Sequence, residues 1–481
     1  MPSMRPNRVI AQSHPNTSVP IDHLITSACL QDRSKPRYQA IADELAQCIV
    51  NGQLPTGERL PPQRKLAQRL GVTAGTVSHA YQLLEQRGMA TARVGDGTYV
   101  RSPAQPDVSP GSSAPALVDL AHNVAMPTDD ARAMADTLQQ IAADSAALRQ
   151  TLSYQPETGH LRHRQVGARW LQRFGLCGDA HRVMVTHGAQ HGLACVLRTL
   201  AHPGDVVLTE SLSYPGLQAL ARLMRLQLVG IEMDGEGMLP RALEHAARHI
   251  GGKLVYCSPS LHNPTNSTMS EQRREAIAKV VLKNKLLWIE DCVHAAAQAA
   301  PLPVVAALLP EQALVLSSFS KVAGPGLRVG YIEAAPQWIS KLAASMRADC
   351  WMVAPLMPEI ATRWIESGAM EQLIAAQRAS ITQRLALVQP LLQGLDCRMD
   401  AESPLVWMPL PEPWRASQFA AALRQAGVLV RTADHFAVGR SAAPHAVRIS
   451  LNAAPTAQDV QAGVKTLLAV LAGTSVAQME A

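Results

Sequence analysis

The sequence lacks both a long hydrophobic run and any cysteine pair. No apolar stretch reaches the ~20 residues needed to cross a bilayer. The best candidate, residues 295–309, is interrupted by Gln298, Pro301 and Pro303. The first 20 residues are polar and contain no apolar signal core. The eight cysteines form no C-x-x-C pair, as expected of reduced thiols used as small core residues. We therefore expect a cytoplasmic protein that does not enter a membrane and has no metal site.

The chain has 481 residues, enough for about three domain-sized units that each bury a core. Residues 1–104 carry 12 Lys and Arg against 7 Asp and Glu, whereas the remaining residues carry 32 against 31. The basic excess therefore lies at the N-terminus. It is compatible with a solvated surface or with contact to a polyanion, and charge alone favours neither.

Composition and pattern divide the chain into four parts. Residues 1–33 are rich in Pro, Ser, Asn and His without periodicity, which is typical of a disordered arm. Residues 34–101 contain three helical patterns and a strand–turn–strand pattern. Residues 102–116 hold four prolines with Ser and Gly, which predicts a semi-stiff linker. Residues 117–475 alternate helical stretches with short apolar runs, without an internal repeat.

The pattern of residues 34–101 predicts a winged helix-turn-helix. Apolar residues at helical spacing follow Pro36, Pro62 and Thr73, and Gly71 separates the second helix from the third. Residues 89–100 form two strand-like pieces around an Asp-Gly turn, the predicted wing. A recognition helix inserts its first turns into the major groove while neighbouring basic residues and the wing hold phosphates. The candidate DNA-binding residues are Arg64, Lys65, Thr73, Thr76, Ser78, His79, Gly95 and Gly97.

These residues lie within motifs that resemble the GntR family of bacterial transcription regulators, over residues 35–101. The motifs are Leu60-Pro-Pro-Gln-Arg64, Leu66-Ala67, Leu70-Gly-Val72, Thr76-Val77, Ala80-Tyr81, Leu84 and Gly95-x-Gly97-Thr98-Tyr-Val100. The resemblance implies DNA contact by Arg64, Thr73, Thr76 and the glycine wing. Relatives often carry Arg where this chain has Ala74, so base readout differs at that step.

The remainder of the chain is predicted to be an α/β domain with a mainly parallel sheet. The candidate strands lie at 182–185, 205–208, 254–256, 286–289 and 313–316, and helical stretches separate them. A Gly-containing turn around Gly188 follows the first strand and opens a helix, a shape that can bind phosphate. Asp291 follows the fourth strand at the sheet end where open α/β sheets bind ligands. Lys321 follows the fifth strand, between serines and a glycine-rich turn with Arg328.

Taken in order, these elements resemble fold-type I pyridoxal-phosphate enzymes of the aspartate aminotransferase superfamily, across residues 117–475. The resemblance implies that Lys321 forms the Schiff base, Asp291 pairs with the pyridine nitrogen and Asn263 contacts the ring hydroxyl. It implies that Arg448 receives a substrate carboxylate. The remaining implied cofactor contacts are Tyr214 on the ring, Tyr154 on the neighbouring subunit's phosphate, and Gly188, Ala189, Gln190, Ser318, Ser320 and Arg328 on the phosphate.

One departure from the superfamily lies three residues after Asp291. The superfamily usually has Tyr there, hydrogen-bonded to the ring hydroxyl, whereas this chain has His294. A histidine can donate the same hydrogen bond, but we expect its charge to vary near neutral pH and so to alter the Schiff-base lysine. This departure favours, by a small margin, a sensor of amino compounds over a working aminotransferase.

The combination of both parts resembles the MocR subfamily of regulators. It implies a transcription factor that binds pyridoxal 5′-phosphate as an internal aldimine at Lys321 and senses a small amino compound or the cofactor itself. A head-to-tail homodimer would carry two DNA-binding heads to two half-sites of a double-stranded operator. A working aminotransferase with an attached DNA-binding head is the alternative, because the same residues serve both. The third interpretation is that residues 117–475 form a dimerisation scaffold without a cofactor.

Overall fold

The computed structural model describes residues 35–51, 53–54, 58–93, 97–100, 117–126, 130–439 and 443–473. These residues belong to two compact units, one on each side of residues 101–116. The predicted arm (1–33) and linker (102–116) lie outside the described residues, as does Gly95 of the predicted wing. Within the described residues, no helix is both long enough and apolar enough to span a bilayer.

The first unit consists of three helices and a two-stranded hairpin. Its elements are α1 (Arg37–Val50), α2 (Gln63–Leu70), α3 (Ala74–Gln86), β1 (Ala90–Arg93) and β2 (Gly97–Val100). Helices α2 and α3 meet at Gly71, whose left-handed backbone (φ 64°) ends α2. Thr73 caps α3 by accepting a hydrogen bond from the Thr76 amide at 3.2 Å. One face of each helix is buried in a shared core that includes Leu45, Leu66 and Leu84.

The second unit is larger and has α/β architecture, as predicted. Its helices are α4 (Asp130–Ala143), α5 (Ser145–Thr151), α6 (Leu161–Leu171), α7 (Ala189–Leu200), α8 (Pro215–Leu223), α9 (Pro240–His249), α10 (Glu271–Lys283), α11 (Pro336–Cys350), α12 (Leu356–Ser367), α13 (Ala369–Val388), α14 (Ala416–Gln425) and α15 (Ala457–Leu471). Its strands are β3 (Val118–Asp119), β4 (Val183–Thr186), β5 (Val206–Glu210), β6 (Gln227–Ile231), β7 (Met233–Asp234), β8 (Gly237–Met238), β9 (Leu254–Cys257), β10 (Leu287–Asp291), β11 (Ala313–Ser318), β12 (Gly330–Ala334), β13 (Arg398–Met399), β14 (Leu405–Pro409), β15 (Val428–Leu429), β16 (Arg431–Thr432) and β17 (Ala446–Ser450).

A seven-stranded sheet in the order β4-β12-β11-β10-β9-β5-β6 forms the centre of this unit. Strands β9, β10, β11, β5 and β6 pair in parallel, whereas β12 runs antiparallel to both of its neighbours. The five predicted strands correspond to β4, β5, β9, β10 and β11. The sequence interpretation placed only a glycine-rich turn near residue 330 and missed β12. Strands β4, β9 and β11 are buried at every residue, which explains their continuous apolar runs.

A second, antiparallel sheet in the order β13-β14-β17-β16 has its own core with α13, α14 and α15. Phe419, Ile449 and Val464 are fully buried in that core. Strand β3, just after the described part of the chain resumes, pairs in parallel with β15 and so joins this smaller layer. The residues that follow β3, up to Met126, then run towards the carboxyl ends of the central strands, as the contacts below show.

Candidate functional site

The candidate cofactor residues lie at the ends of the central strands. Asp291 is the last residue of β10, Ser318 is the last residue of β11, and Gly188 caps α7 directly after β4. Because β10 and β11 are parallel, their carboxyl ends lie at the same edge of the sheet. This is the edge at which open α/β sheets bind ligands.

Lys321 lies three residues beyond β11 and is half-buried. Its Nζ donates a hydrogen bond to the backbone carbonyl of Asn123. Burial, together with the neighbouring positive charge of Arg448, lowers the pKa of Lys321 from 10.5 to about 8, although the Asp291 carboxylate opposes the shift. An amine with this pKa is neutral, and therefore nucleophilic, in a substantial fraction of molecules near neutral pH.

Asp291 is held by two donors. The Tyr256 hydroxyl donates to Oδ2 at 2.5 Å, and the Val293 amide donates to Oδ1 at 2.9 Å. Burial raises the pKa of Asp291, whereas both hydrogen bonds and the charge of Lys321 favour the carboxylate. The sequence analysis missed Tyr256, which lies on β9 next to β10. The available signal was a phenol within an otherwise apolar buried strand, since its hydroxyl needs a polar partner there.

A small cluster that suits a phosphate group surrounds Gly188. Gly188 has φ 80°, and a Cβ at this position would lie 3.0 Å from Arg328 Nη2. The Arg328 guanidinium donates to the His187 carbonyl at 3.0 Å. Ala189 and Gln190 form the first turn of α7, where backbone amides lack intrahelical acceptors. Gln190 Oε1 is buried without a hydrogen-bond partner among the described residues. Because an amide oxygen accepts, as a phosphate oxygen does, this atom itself does not favour a phosphate.

Two serines extend this cluster from the neighbouring strand end. Ser318 Oγ and Ser320 Oγ are 2.9 Å apart, and Ser318 Oγ also lies 3.2 Å from the Val329 carbonyl. Gly330 pairs with Ser318 on one side and with Thr186 on the other. The structure therefore brings together all six residues that the resemblance assigned to the phosphate, namely Gly188, Ala189, Gln190, Ser318, Ser320 and Arg328.

Arg448 lies on β17 and is 5% exposed. Its Nη1 donates to Asn263 Oδ1 at 3.0 Å and its Nη2 donates to the Ala121 carbonyl. The guanidinium carbon lies 5.1 Å from the centre of the Phe436 ring. Asn263 and Arg448, which the resemblance assigned to ring and substrate, are therefore in direct contact.

His294 lines a small pocket together with Asn123, Lys321 and Asn452. Its Nε2 lies 3.5 Å from Asn123 Nδ2. Burial and the positive charges of Lys321 and Arg448 lower the pKa of His294 to about 3. The expectation that its charge varies near neutral pH was therefore wrong, because these surroundings keep the imidazole neutral there.

The segment of residues 117–126 covers this pocket and was missed by the sequence analysis. The Ala121 carbonyl accepts from Arg448, and the Asn123 carbonyl accepts from Lys321. The Asn452 amide donates to Asn123 Oδ1 at 3.0 Å and to the Val124 carbonyl. No motif marks these positions, because most of the contacts are made by backbone atoms.

Two predicted tyrosines lie in different surroundings. Tyr214 is half-buried at the start of α8, beside Gly216, whose carbonyl accepts from Gln190 Nε2 at 3.2 Å. Tyr154 is 83% exposed, with its ring 6.1 Å from that of Trp351, which is 56% exposed. Tyr154 is thus displayed on the surface of the single chain.

The candidate DNA-binding residues lie on α2, on α3 and in the hairpin. Arg64 and Lys65 are exposed in the first turn of α2, and the exposed Thr73 begins α3. Within α3, Thr76 and Ser78 are half-buried, and the exposed His79 ring lies 5.2 Å from that of Tyr38. Gly97 has φ 117°, and a Cβ there would lie 2.7 Å from Arg59 Nε. The sequence analysis did not single out Arg59, whose exposed guanidinium lies against the hairpin.

Comparison with known proteins identifies both units. Residues 116–467 match the family described as aminotransferase class I and II, and residues 37–100 match the family of bacterial regulatory proteins, gntR family. The chain is 31% identical over 443 residues to the uncharacterized HTH-type transcriptional regulator YdeF of Bacillus subtilis, covering 91% of this chain and 95% of that protein. It is 28% identical to the pyridoxine biosynthesis transcriptional regulator PdxR of Corynebacterium glutamicum, covering 74% of this chain and 78% of that protein. It is 26% identical to the vitamin B6 salvage pathway transcriptional repressor PtsJ of Salmonella typhimurium, covering 86% of this chain and 93% of that protein.

Solved structures resemble the larger unit. An archaeal alanine:glyoxylate aminotransferase superposes with a TM-score of 0.68 at 23% identity, covering 75% of this chain and 91% of that chain. The kynurenine aminotransferase of Pyrococcus horikoshii gives the same TM-score and coverage at 22% identity. At these identities the similarity shows the fold: the larger unit is an aminotransferase fold of type I.

Proposed function

Because the chain belongs to the aminotransferase class I and II family and carries a GntR-type helix-turn-helix domain, the combination found in MocR regulators, we propose that it is a DNA-binding transcription regulator controlled by pyridoxal 5′-phosphate. The cofactor binds covalently through Lys321, and a small amino compound, or the cofactor itself, is the signal. The relatives PdxR and PtsJ, whose names refer to pyridoxine and vitamin B6, support the choice of cofactor.

The observation that carries this proposal is that Arg448, on the antiparallel sheet, comes close to Lys321 and Asp291 at the carboxyl edge of the central sheet. The donor set suits pyridoxal phosphate. A lysine amine of lowered pKa faces a carboxylate held by Tyr256, and the Gly188 cluster with Arg328 suits a phosphate dianion.

When bound, pyridoxal phosphate supplies an aldehyde that condenses with amines and a ring that withdraws electrons from the neighbouring bonds. Lys321 binds it, and its lowered pKa provides the neutral amine. The Asp291 carboxylate, held by Tyr256 and the Val293 amide, would favour the protonated form of the ring nitrogen. Arg448 would orient an incoming carboxylate through the Nη2 hydrogens that now bond the Ala121 carbonyl. His294, being neutral, presents one N–H and one acceptor rather than a charge.

Ligands and the 117–126 segment compete for the same donors. A cofactor held by Lys321 would engage Nζ, which now donates to the Asn123 carbonyl, and an effector carboxylate would compete with the Ala121 carbonyl for Arg448. The segment follows residues 102–116, the predicted linker to the DNA-binding unit, directly in sequence. We propose that its displacement carries the signal towards the DNA-binding unit. In a head-to-tail homodimer, the surface-exposed Tyr154 would reach the partner's phosphate site, and the two heads would engage two half-sites.

The decisive experiment compares the wild-type chain with Lys321→Ala after incubation with pyridoxal phosphate. Lys279→Ala is the matched control, because the Lys279 side chain is 79% exposed on α10. We expect a borohydride-sensitive visible absorption band in the wild type and in Lys279→Ala, but not in Lys321→Ala. Binding to the DNA upstream of its own gene, measured with and without the cofactor, should change only in the two proteins that show the band.

Three results would contradict the proposed function or part of it. No band in any protein would refute cofactor binding and favour a dimerisation scaffold. A band without any change in DNA affinity, even when amines are added, would refute the sensor. Sustained turnover with an amino donor and a keto acid in the same preparation would favour the aminotransferase alternative.

A further inference from the structure

A carboxyl group without a counter-ion is buried beside the candidate cofactor site. Glu210 is the last residue of β5 and is 1% exposed. Among the described residues it has no ion-pair partner, since the buried Arg274 pairs with Glu290 at 3.8 Å instead. Burial lowers the pKa of the neighbouring His262, so that imidazole supplies no positive charge. Burying a charge without a counter-ion is unfavourable, and such charges are typical of functional sites.

Neutral donors hold the Glu210 carboxyl group in place. The Cys257 thiol and the Ser258 amide both donate to Oε1 at 2.8 Å. The Thr209 hydroxyl donates to Oε2 at 3.2 Å. Three donors suit an ionised carboxylate, which only accepts, whereas a protonated carboxyl group would itself need an acceptor. The contacts therefore favour a negative charge at Glu210.

Strand pairing places this charge next to the residues that hold Asp291. Strand β5 pairs in parallel with β9, where Thr209 lies opposite Tyr256, and β9 pairs in parallel with β10. Glu210 bonds the two residues that follow Tyr256, whose hydroxyl donates to Asp291 Oδ2 at 2.5 Å. Burial raises the pKa of Asp291, and the charge of Glu210 raises it further, against the hydrogen bonds from Tyr256 and Val293. Glu210 thus acts on Asp291 through space.

We propose that Glu210 is a positioning residue of the cofactor site, whose buried charge favours a proton shared between Asp291 and the ring nitrogen of pyridoxal phosphate. This inference rests on the proposed function, because it assumes the cofactor at Lys321. A negative charge close to a carboxylate raises the proton affinity of that carboxylate and of a base bonded to it. Glu210 therefore increases the protonated fraction of the ring, which is the form that withdraws electrons most strongly.

The test compares two aldehydes in the full-length protein: pyridoxal phosphate and its deaza analogue, in which a C–H group replaces the ring nitrogen. Both can form a Schiff base with Lys321, but only pyridoxal phosphate has a ring nitrogen to protonate. Absorbance of the Schiff base gives the two dissociation constants, and their ratio is the readout. Glu210→Gln should reduce the preference for pyridoxal phosphate about 10-fold, which corresponds to one pKa unit at the ring nitrogen. Glu210→Asp, which keeps the charge, should restore most of that preference.

Glu333→Gln is the matched control. Glu333 is also a buried carboxylate, 5% exposed, and its Oε1 accepts from Arg182 at 2.5 Å. It lies opposite Val183, at the amino end of β4 and so away from the edge that carries Asp291. Glu333→Gln should therefore lower the stability of the protein but leave the ratio of the two dissociation constants as in the wild type.

The outcomes separate this inference from the proposed function. If neither aldehyde forms a Schiff base in the wild type, the proposed function itself has failed. If the wild type binds both equally, or if Glu210→Gln keeps the wild-type ratio, Glu210 serves only the local structure and the inference is overturned. The same holds if Glu333→Gln lowers the ratio as much. Should Glu210→Gln fail to fold, Glu210→Met takes its place and must show the same reduced ratio.

Discussion

The reactivity of Lys321 offers the most quantitative test of the pocket electrostatics. The structure lowers the pKa of this amine from 10.5 to about 8, mainly through burial and then through Arg448. At pH 7.5, an amine with a pKa of about 8 is neutral in roughly a quarter of molecules, whereas an ordinary lysine is neutral in about one in a thousand. Lys321 should therefore condense with pyridoxal phosphate roughly 200-fold faster than an unperturbed lysine amine at that pH.

The assay is stopped-flow absorbance of the cofactor-free protein mixed with pyridoxal phosphate from pH 6 to pH 10. Free Nα-acetyl-lysine, measured in the same buffers, removes the contribution of the cofactor's own ionisations. We expect the rate to rise with pH and to level off above about pH 8. Arg448→Gln removes a positive neighbour and should move the midpoint to higher pH, whereas Asp291→Asn removes a negative neighbour and should move it lower. A rate that rises tenfold per pH step up to pH 10, as for the free amine, would refute the reasoning.

Three further predictions concern stability and DNA affinity. Burial raises the pKa of Glu359, but hydrogen bonds from His163, Arg363 and Arg162 outweigh it and lower that pKa to about 2. The stabilisation that the Glu359 carboxylate provides is therefore present above pH 4.5 and lost as the pH falls through 2. Glu359→Gln should lower the free energy of unfolding, measured in urea at pH 7, by about 3 kcal/mol. Gly330→Ala places a Cβ 2.6 Å from the Ser317 carbonyl and 2.9 Å from the Gly188 backbone. It should lower the free energy of unfolding by about 1 to 3 kcal/mol. Gly326→Ala is the control and should leave the free energy of unfolding unchanged, because nothing lies within 4 Å of the added Cβ. Arg64→Gln should weaken DNA binding for all sequences and reduce the salt-dependence slope by about one, as measured by fluorescence anisotropy; an unchanged slope would show that Arg64 contacts no phosphate.

The elements of the first unit and five strands of the second could be predicted from the sequence because each has a local cause, whereas the antiparallel sheet β13-β14-β17-β16 was not predicted. Apolar spacing marks α1 and α3, Thr73 caps a helix, and the continuous apolar runs of β4, β9 and β11 correspond to strands buried on both faces. Strand β12 escaped prediction because its antiparallel insertion is decided by pairing with β4 and β11, which no local pattern encodes.

In the candidate site too, some residues could be predicted from the sequence and some contacts could not. Residue type and position after a strand were enough to single out Lys321, Asp291 and Arg328, because their chemistry is carried by the side chain itself. Tertiary structure alone decided that Tyr256 holds Asp291, that backbone carbonyls of residues 121 and 123 occupy Arg448 and Lys321, and that His294 stays neutral. Hydrogen bonds to the backbone, desolvation and strand register depend on residues distant in sequence, so they exist only once the chain has folded.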